Sequence, residues 1–178
     1  RGIGYVYSSQ FLDETAAEAA LRQYEGAHSD ELEARHIRFA SGKREVSWKG
    51  NCVAVGLSDG FLEPLESSGL YLIEFAGLAI ANMLADFESA PQATMRYYNR
   101  ITNDLYDEIL GFLNLHYVIS NRRDTAFWRA ATSDEVIVDD LRDRLELWKH
   151  RGPGQFDFPG ADRLFARDSY EFILHGMR

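Results

Sequence analysis

The residues best suited to chemistry lie in one stretch, residues 50–73, which reads GNCVAVGLSDGFLEPLESSGLYLI. An apolar run at residues 52–55 predicts a fully buried strand, and a glycine-punctuated loop leads from it into an apolar helix that begins near Leu70. The start of a helix presents unpaired backbone N–H groups and the positive end of its dipole, which suit an anion or an electron-rich cofactor edge. Gly69 permits such a ligand to approach the backbone closely.

Glu66 immediately precedes the start of this predicted helix. A carboxylate held within hydrogen-bond reach of a substrate can accept a proton. The same carboxylate would also stabilise a helix N-terminus without any chemical role, and serine pairs such as Ser67 and Ser68 are common helix caps. The spacing alone therefore leaves a functional and a purely structural interpretation open.

The elements that must position these residues begin with an α+β pattern. Short runs rich in β-branched and aromatic residues, or with alternating polarity, predict four strands. They lie at residues 3–7, 35–40, 44–49 and 52–55. The second and third are joined by a Ser-Gly-Lys turn, which predicts a hairpin. Cys52, inside the fourth, is expected to be buried and chemically inert.

Helical periodicity dominates the rest of the chain. Five helices are predicted. The first runs from Asp13 or Thr15 to about Tyr24, and the next two cover residues 70–87 and 93–116. The fourth runs from a capping box at Thr132 and Glu135 to Trp148, and the last covers residues 169–175. The helix at residues 70–87 is apolar on nearly every side, so we expect it to be buried at the centre of the fold. The membrane-spanning alternative is less favoured because Glu74 interrupts the run.

Composition narrows the possible classes of function. The 178 residues are 46% hydrophobic and carry a net charge of −9, which is ordinary for a globular domain and unfavourable for binding nucleic acid or an anionic membrane. The single cysteine excludes an internal disulfide and indicates a reducing, cytoplasmic location. No histidine pair has metal-ligand spacing, so we expect no metal site. Because the chain opens at Arg1 and enters a predicted strand at once, we interpret it as part of a longer protein.

The Glu-Pro-Leu-Glu-Ser-Ser-Gly string that ends at Gly69 resembles the signature around the catalytic glutamate of the flavin-dependent tryptophan halogenase family. Three further stretches resemble the same family in the same order. They are residues 4–9 (GYVYSS), the segment from Tyr98-Asn99 to His116-Tyr117, and residues 123–129 (RDTAFWR). The family's G-x-G-x-x-G fingerprint, its Trp-x-Trp-x-Ile-Pro motif and its catalytic lysine are missing. The chain therefore resembles the C-terminal half of such an enzyme.

The resemblance implies an α+β fold in two parts. Residues 1–90 would supply strands and a central helix that complete an FAD- and halide-binding domain, and residues 91–178 an all-α region that covers the substrate. The missing N-terminal part would hold most of the FAD, which a separate flavin reductase supplies in reduced form. Leu57 and Leu70 match positions whose backbones contact FAD. A flavin hydroperoxide would then oxidise halide to hypohalous acid, which places chlorine or bromine on an indole or related aromatic ring.

The resemblance also implies roles for single residues. Glu66 matches the active-site glutamate, which orients the halogenating species and accepts the proton lost from the substituted carbon. Ser68 and Gly69 match the two residues whose backbone amides hold the halide, although the family usually has Thr where Ser68 stands. Ser67 lies beside the glutamate and is expected to orient it.

The groups that grip free tryptophan in the family are not retained. If Ser169-Tyr170 aligns with the family's Ser-Tyr, then its tyrosine pair falls near Pro153-Gly154, its glutamate near Gly160 and its Phe-Trp pair near Leu164-Phe165. Free tryptophan therefore fits poorly as the substrate. A looser aromatic pocket has three candidate phenylalanines, although such residues are more often plain core. They are Phe156, Phe158 and Phe165.

Two alternatives to a halogenase stay open. A related flavoprotein monooxygenase would hydroxylate an aromatic substrate, although the Glu66-Ser67 pair argues against it. A non-catalytic fragment or interaction domain is the other alternative. Dependence on halide distinguishes the first, and activity of the complete protein with FAD, a flavin reductase and indole distinguishes the second.

Overall fold

The computed structural model describes residues 2–158 and 164–177. This part of the chain divides into two compact units. The first comprises the residues up to Phe39 together with Arg122–Ala131, and the second comprises Ala40–Asn121 together with the residues from Thr132 onward. Helices dominate both, with short strands only in the second, so the predicted α+β class is confirmed.

The first unit is built on helix α1, Glu14–Glu25. Asp13 caps it by accepting a hydrogen bond from the backbone N–H of Ala16 at 2.8 Å, and Gly26 ends it with a φ of 86°. The prediction of this helix is confirmed, with Asp13 as the cap. A short helix α4, Ala126–Ala131, belongs to the same unit.

The strand predicted at residues 3–7 is wrong for the described structure. The rings of Tyr5 and Tyr7 stack with centroids 6.3 Å apart, as alternate side chains of an extended segment do. No other described backbone pairs with this segment, however. A strand pattern becomes a strand only where a second backbone completes its hydrogen bonds.

The strand predicted at residues 35–40 is also wrong. Side chains hold this segment to α1 in place of a strand ladder. The ring of His36 contacts the Glu18 carboxylate at 3.1 Å, and Arg38 donates to Glu14 at 2.8 Å. The alternation of polar residues therefore reflects side-chain contacts with two acids of α1.

The second unit contains two small antiparallel pairs. Strand β1, Gly42–Lys43, pairs with β4, Gly60–Phe61, and strand β2, Trp48–Lys49, pairs with β3, Cys52–Val53. The hairpin is therefore β2–β3, and not the one predicted between residues 35–40 and 44–49. A side chain at Gly60 would lie 2.8 Å from the carbonyl oxygen of Gly42, so β1 and β4 can approach only because residue 60 is glycine.

Cys52 and its strand are more open than expected. Strand β3 is two residues long, and Cys52 is exposed. The prediction of a fully buried strand over residues 52–55, with an inaccessible thiol, is wrong because β2 alone pairs with β3 in the described structure.

The second unit consists mostly of four helices, whose ends agree with the prediction to within two residues except at the start of the third, which is predicted at Thr132 and lies at Asp139. They are α2, Ser68–Ser89; α3, Pro91–Val118; α5, Asp139–Trp148; and α6, Arg167–Gly176. Pro91 opens α3, where its missing N–H carries no penalty. The capping box predicted at Thr132 and Glu135 is wrong, because Val138 precedes α5 and no side chain caps it.

Helix α3 is the centre of the second unit, and its inward face is buried. The core around that face consists of residues from α2, α3, α5, α6 and the segment before α6: Leu72, Leu105, Tyr106, Ile109, Phe112, Leu113, Leu115, Leu141, Phe158, Phe165 and Tyr170. Two asparagines of α3 bind neighbouring backbone. Asn99 accepts from the N–H groups of Ser47 and Trp48, at 2.9 and 2.7 Å, and Asn114 accepts from Val138 N–H at 3.0 Å.

Helix α2 is not buried as predicted. Only Ser68, Leu72 and Ala76 of its residues are buried, while Leu70 and Leu78 are 71% and 60% exposed. The expectation fails because α3 covers one side of α2 only. In the described residues, Leu65–Ser89 is also the one helix long and apolar enough to cross a membrane, which is weak evidence because core helices of soluble proteins share that property.

Candidate functional site

The turn that leads into α2 holds strained backbone. Glu66 (φ 56°, ψ 23°) and Ser67 (φ 58°, ψ 23°) are consecutive left-handed residues, and no other non-glycine residue of the described chain has a positive φ. Each such residue costs about 1–2 kcal/mol relative to ordinary helical backbone. Outliers of this kind concentrate at functional sites, where the surrounding structure holds them.

The strained turn presents the Glu66 carboxylate to a cleft of about 290 Å³. Five further residues line this cleft: Phe112, Phe165, Ser169, Phe172 and Ile173. Glu66 is exposed, and its carboxylate makes no hydrogen bond or ion pair within the described part of the chain. An acid without a partner among the described residues, in a cleft lined partly by aromatic rings, is suited to receiving a proton from an aromatic molecule.

Two buried rings form the floor of the cleft. Phe112 and Phe165 are 2% and 7% exposed, and their rings stack with centroids 3.8 Å apart. His116 and Tyr170 pack edge-on against Phe112, at 4.7 and 5.0 Å. Glu108 accepts a hydrogen bond from the N–H of Phe165 at 3.0 Å, which fixes the segment before α6. The floor is therefore rigid.

One face of α6 forms a wall of the cleft. Ser169, Phe172 and Ile173 stand at positions i, i+3 and i+4, so their side chains share that face. Phe172 is 78% exposed. The Ser169 hydroxyl makes no hydrogen bond within the described residues.

The loop that precedes Glu66 is tied to the end of α3. The Tyr117 hydroxyl donates a hydrogen bond to the Glu63 carboxylate. Burial, and then this hydrogen bond, raise the pKa of Tyr117 well above its ordinary value. The phenol therefore stays protonated over the physiological range and continues to hold the loop.

The first residues of α2 differ in how accessible they are. Ser68 is 1% exposed, its hydroxyl has no partner in the described structure, and its N–H donates to the carbonyl of Leu65. Gly69 is exposed, and a Cβ atom placed on it would meet nothing within 4 Å. The space beside Gly69 is therefore open, while the amide of Ser68 is engaged by its own turn.

Leu57 lies in a short turn, Gly56–Ser58, that sits against α2. A Cβ atom on Gly56, whose φ is 61°, would lie 3.2 Å from the side chain of Ile73. Leu57 itself is 82% exposed. Leu57 and Leu70 thus both present uncovered side chains around the start of α2.

The structure brings together the predicted acid and one of the three predicted phenylalanines. Phe165 lines the cleft with Glu66, whereas Phe156 is 94% exposed outside it and Phe158 packs in the core against Tyr170. The position matched near Gly160 lies outside the described residues. Four lining residues were not predicted as site residues: Phe112, Ser169, Phe172 and Ile173. The helical spacing of the last three was the available signal.

Known proteins similar to this chain support the resemblance seen in the sequence. Residues 1–178 match the family described as Tryptophan halogenase. The chain is 39% identical over 152 residues to tryptophan 6-halogenase SttH of Streptomyces toxytricini. The aligned region covers 85% of this chain and 29% of that protein. It is 32% identical over 148 residues to tryptophan 7-halogenase RebH of Lentzea aerocolonigenes. That aligned region covers 83% of this chain and 28% of RebH.

A solved structure has the same fold as this chain over nearly the whole length of this chain. The crystal structure of tryptophan halogenase from Shewanella frigidimarina matches it with a TM-score of 0.90 and 36% identity, over 97% of this chain and 34% of that chain. The chain thus spans about a third, or slightly less, of the length of these relatives. On this evidence it belongs to the tryptophan halogenase family.

Proposed function

We propose that the chain is the C-terminal part of a flavin-dependent halogenase that installs chlorine or bromine on an indole or related aromatic ring. The observation that carries this proposal is the Glu66 carboxylate, which has no partner among the described residues and lies on a strained turn that lines an aromatic cleft. Membership of the halogenase family supports it.

Glu66 is proposed to be the proton acceptor. When an electrophilic halogen bonds to a ring carbon, the hydrogen on that carbon must leave as a proton before aromaticity returns. A carboxylate within hydrogen-bond reach of that hydrogen can take it. The buried rings of Phe112 and Phe165 keep water away from this side of the ring. Ser67, the second strained residue, is proposed to hold Glu66 in its orientation.

Ser68 and Gly69 are proposed to bind the halide through their backbone amides. They are the first residues of a 22-residue helix, whose dipole favours an anion at this end. The open space beside Gly69 admits an ion. Binding at Ser68 requires its N–H to exchange the Leu65 carbonyl for the halide, so the turn must adjust when the ion enters.

The residues around the start of α2 fit the edge of a flavin. Leu57 and Leu70 are both largely exposed, and no side chain occupies the space next to Gly69. These residues are proposed to contact FAD, while an N-terminal part beyond this chain holds the rest of the cofactor and covers α2. Reduced FAD, supplied by a flavin reductase, would provide, with O2 as the oxidant, the two-electron oxidation that makes halide electrophilic.

The test compares Glu66→Gln with the unchanged complete polypeptide of which this chain forms part, supplied with FAD, a flavin reductase, bromide and indole. We expect turnover to fall by about 10²-fold or more, the size typical of a positioned base. Glu135→Gln, at an exposed position outside the cleft, is the matched control and should leave turnover unchanged. Turnover of Glu66→Gln close to that of the unchanged protein would remove Glu66 from the reaction.

The same assay separates the two alternatives. A product that forms equally well without chloride or bromide would identify a hydroxylating monooxygenase. No product from the complete polypeptide with any supplied ring would favour a non-catalytic role.

A further inference from the structure

The α6 wall of the cleft has two features that the proposed reaction leaves unexplained. Phe172 exposes 78% of its surface at the rim, and no ring of the described residues contacts its side chain. Ser169, one turn earlier, has a half-exposed hydroxyl without a hydrogen-bond partner in the described chain. An uncovered aromatic ring and an unused hydroxyl on one face of a helix are what a bound ring could engage.

The charge of the lining also selects among aromatic molecules. Among the described residues that line the cleft, Glu66 is the one charged side chain. A free amino acid carries a carboxylate, for which the described lining offers no cation, and an ammonium, which would pair with Glu66 and engage the group that must take the ring proton. A neutral ring has no such cost. The volume of about 290 Å³ is near the lower end of the roughly 300–1,000 Å³ typical of ligand pockets, which suits a small flat molecule.

We propose that Ser169 and Phe172 determine which ring is halogenated and where: Phe172 packs on a neutral indole-type ring, and the Ser169 hydroxyl accepts a hydrogen bond from its ring N–H. This inference rests on the proposed function of Glu66. The hydrogen bond fixes the rotation of the ring within the cleft, and the rotation decides which carbon lies nearest Glu66. Ser169 is thus a residue for ring position, and Phe172 a residue for affinity.

The division of roles follows from the surroundings of each group. The floor residues Phe112 and Phe165 are already stacked on each other, so they present a fixed surface to any flat ring. A hydroxyl that can accept from an N–H, in contrast, distinguishes one edge of an indole from the others. Relatives of this chain include a tryptophan 6-halogenase and a tryptophan 7-halogenase, so family membership leaves the ring position unassigned.

The experiment uses the complete polypeptide with FAD, a flavin reductase and bromide, and offers it indole and L-tryptophan separately. We expect kcat/KM for indole to exceed that for L-tryptophan by about tenfold or more. Phe172→Ala should raise KM for indole by about tenfold, as expected for a lost aromatic contact, with a smaller effect on kcat. Ser169→Ala should change the ratio of brominated indole isomers by about 2- to 10-fold, the worth of one hydrogen bond.

Two variants outside the cleft are matched controls. Phe156→Ala removes a ring that is 94% exposed, and Ser133→Ala removes a half-exposed hydroxyl that caps nothing. Both should leave KM and the isomer ratio unchanged.

The outcomes distinguish this inference from the proposed function. Loss of activity in Glu66→Gln, together with an unchanged isomer ratio in Ser169→Ala and an unchanged KM in Phe172→Ala, would overturn the inference and leave the proposed function standing. A preference for L-tryptophan would overturn it as well. Full activity in Glu66→Gln would instead overturn the proposed function on which the inference rests.

Discussion

At the scale of single residues, the left-handed backbone of the described non-glycine residues lies at two neighbouring positions. Glu66 and Ser67 hold left-handed backbone without being glycine, and the Glu66 carboxylate has no partner in the part of the chain that the structure describes. A carboxylate that is held by strain and left unpaired is available for a reaction. The Asp157 carboxylate, in contrast, is held within the fold by hydrogen bonds.

Replacing Ser67 with glycine should separate stability from activity. Glycine relieves a left-handed cost of about 1–2 kcal/mol and loses about 0.5–1 kcal/mol to the entropy of the unfolded chain, so we expect a net gain of roughly 0.5–1 kcal/mol. We also expect slower turnover, because the turn then holds Glu66 less firmly. Thermal unfolding and bromination assays on the complete polypeptide measure both effects.

The control for this change is Ser133→Gly, because Ser133 has an ordinary extended backbone (φ −76°, ψ 152°). Glycine there should lower stability. If Ser67→Gly destabilises as much as the control does, the left-handed turn is not a source of strain.

The hydrogen-bonded carboxylate of Asp157 should make the stability of the protein depend on pH. It accepts hydrogen bonds from Arg151 (2.7 and 2.5 Å), from the indole N–H of Trp148 (2.8 Å) and from Gly154 N–H (2.8 Å). The Arg151 hydrogen bonds are the main reason that the pKa of Asp157 lies well below its ordinary value. A depressed folded-state pKa stabilises the protein above the unfolded-state pKa near 3.9, and this contribution is lost as the pH falls below that value.

Asp157→Asn should therefore cost about 2 kcal/mol at pH 7, and the difference from the unchanged protein should shrink as the pH falls below about 4. Asp140→Asn is the control, because Asp140 is a 78% exposed partner of Arg144 and surface pairs of this kind contribute about 0–1 kcal/mol. The measurement is the melting temperature of both variants and of the unchanged protein between pH 3 and pH 7, about the range in which carboxylates titrate. Equal losses for both variants at every pH would contradict the assignment.

At the scale of elements, the helices could be predicted and the strands largely could not. A helix completes its hydrogen bonds within one segment, so α1, α2, α3, α5 and α6 follow from local periodicity. A strand needs a partner from elsewhere in the chain. Residues 3–7 and 35–40 have strand patterns without a partner in the described structure, and the observed pairs depend on Gly50 and Gly60.

Two glycines of α2 offer a matched test of the halide site. A Cβ atom would meet nothing within 4 Å at either Gly69 or Gly77. Gly77→Ala should stabilise the helix by roughly 1 kcal/mol and leave the KM for bromide unchanged. Gly69→Ala should raise the KM for bromide several-fold, because its methyl group enters the space proposed for the ion and the flavin edge. Equal bromide KM values in the two variants would exclude Gly69 from the halide site.

At the scale of the whole molecule, the described residues of this chain leave part of the apolar surface of α2 uncovered. Leu70, Ile73, Leu78 and Leu84 are each at least 47% exposed. Large apolar side chains that lie exposed along one helix indicate an interaction surface. Because the chain spans about a third of its relatives, we propose that an N-terminal part of the same polypeptide covers this face.

Leu78→Asp tests that arrangement in the complete polypeptide. If the N-terminal part covers Leu78, the new carboxylate is buried, and we expect a fall in melting temperature and in retained FAD. Leu147→Asp, on α5 and 50% exposed, is the control and should have little effect on either. The complete polypeptide should also remain in solution without detergent. A requirement for detergent would favour the membrane-spanning alternative, and a neutral Leu78→Asp would contradict the proposed cover.

The sequence by itself indicated the family, singled out Glu66 and predicted the order of the helices, because a motif and a helical period are both local properties of the chain. The tertiary structure decided which residues face that acid. Phe112 and Phe172 are 46 and 106 residues away from Glu66 in sequence, and only the packing of α3 and α6 brings them to one cleft. It also decided that Phe165, and neither Phe156 nor Phe158, lines the cleft, because the three phenylalanines differ in burial and surroundings and not in residue type.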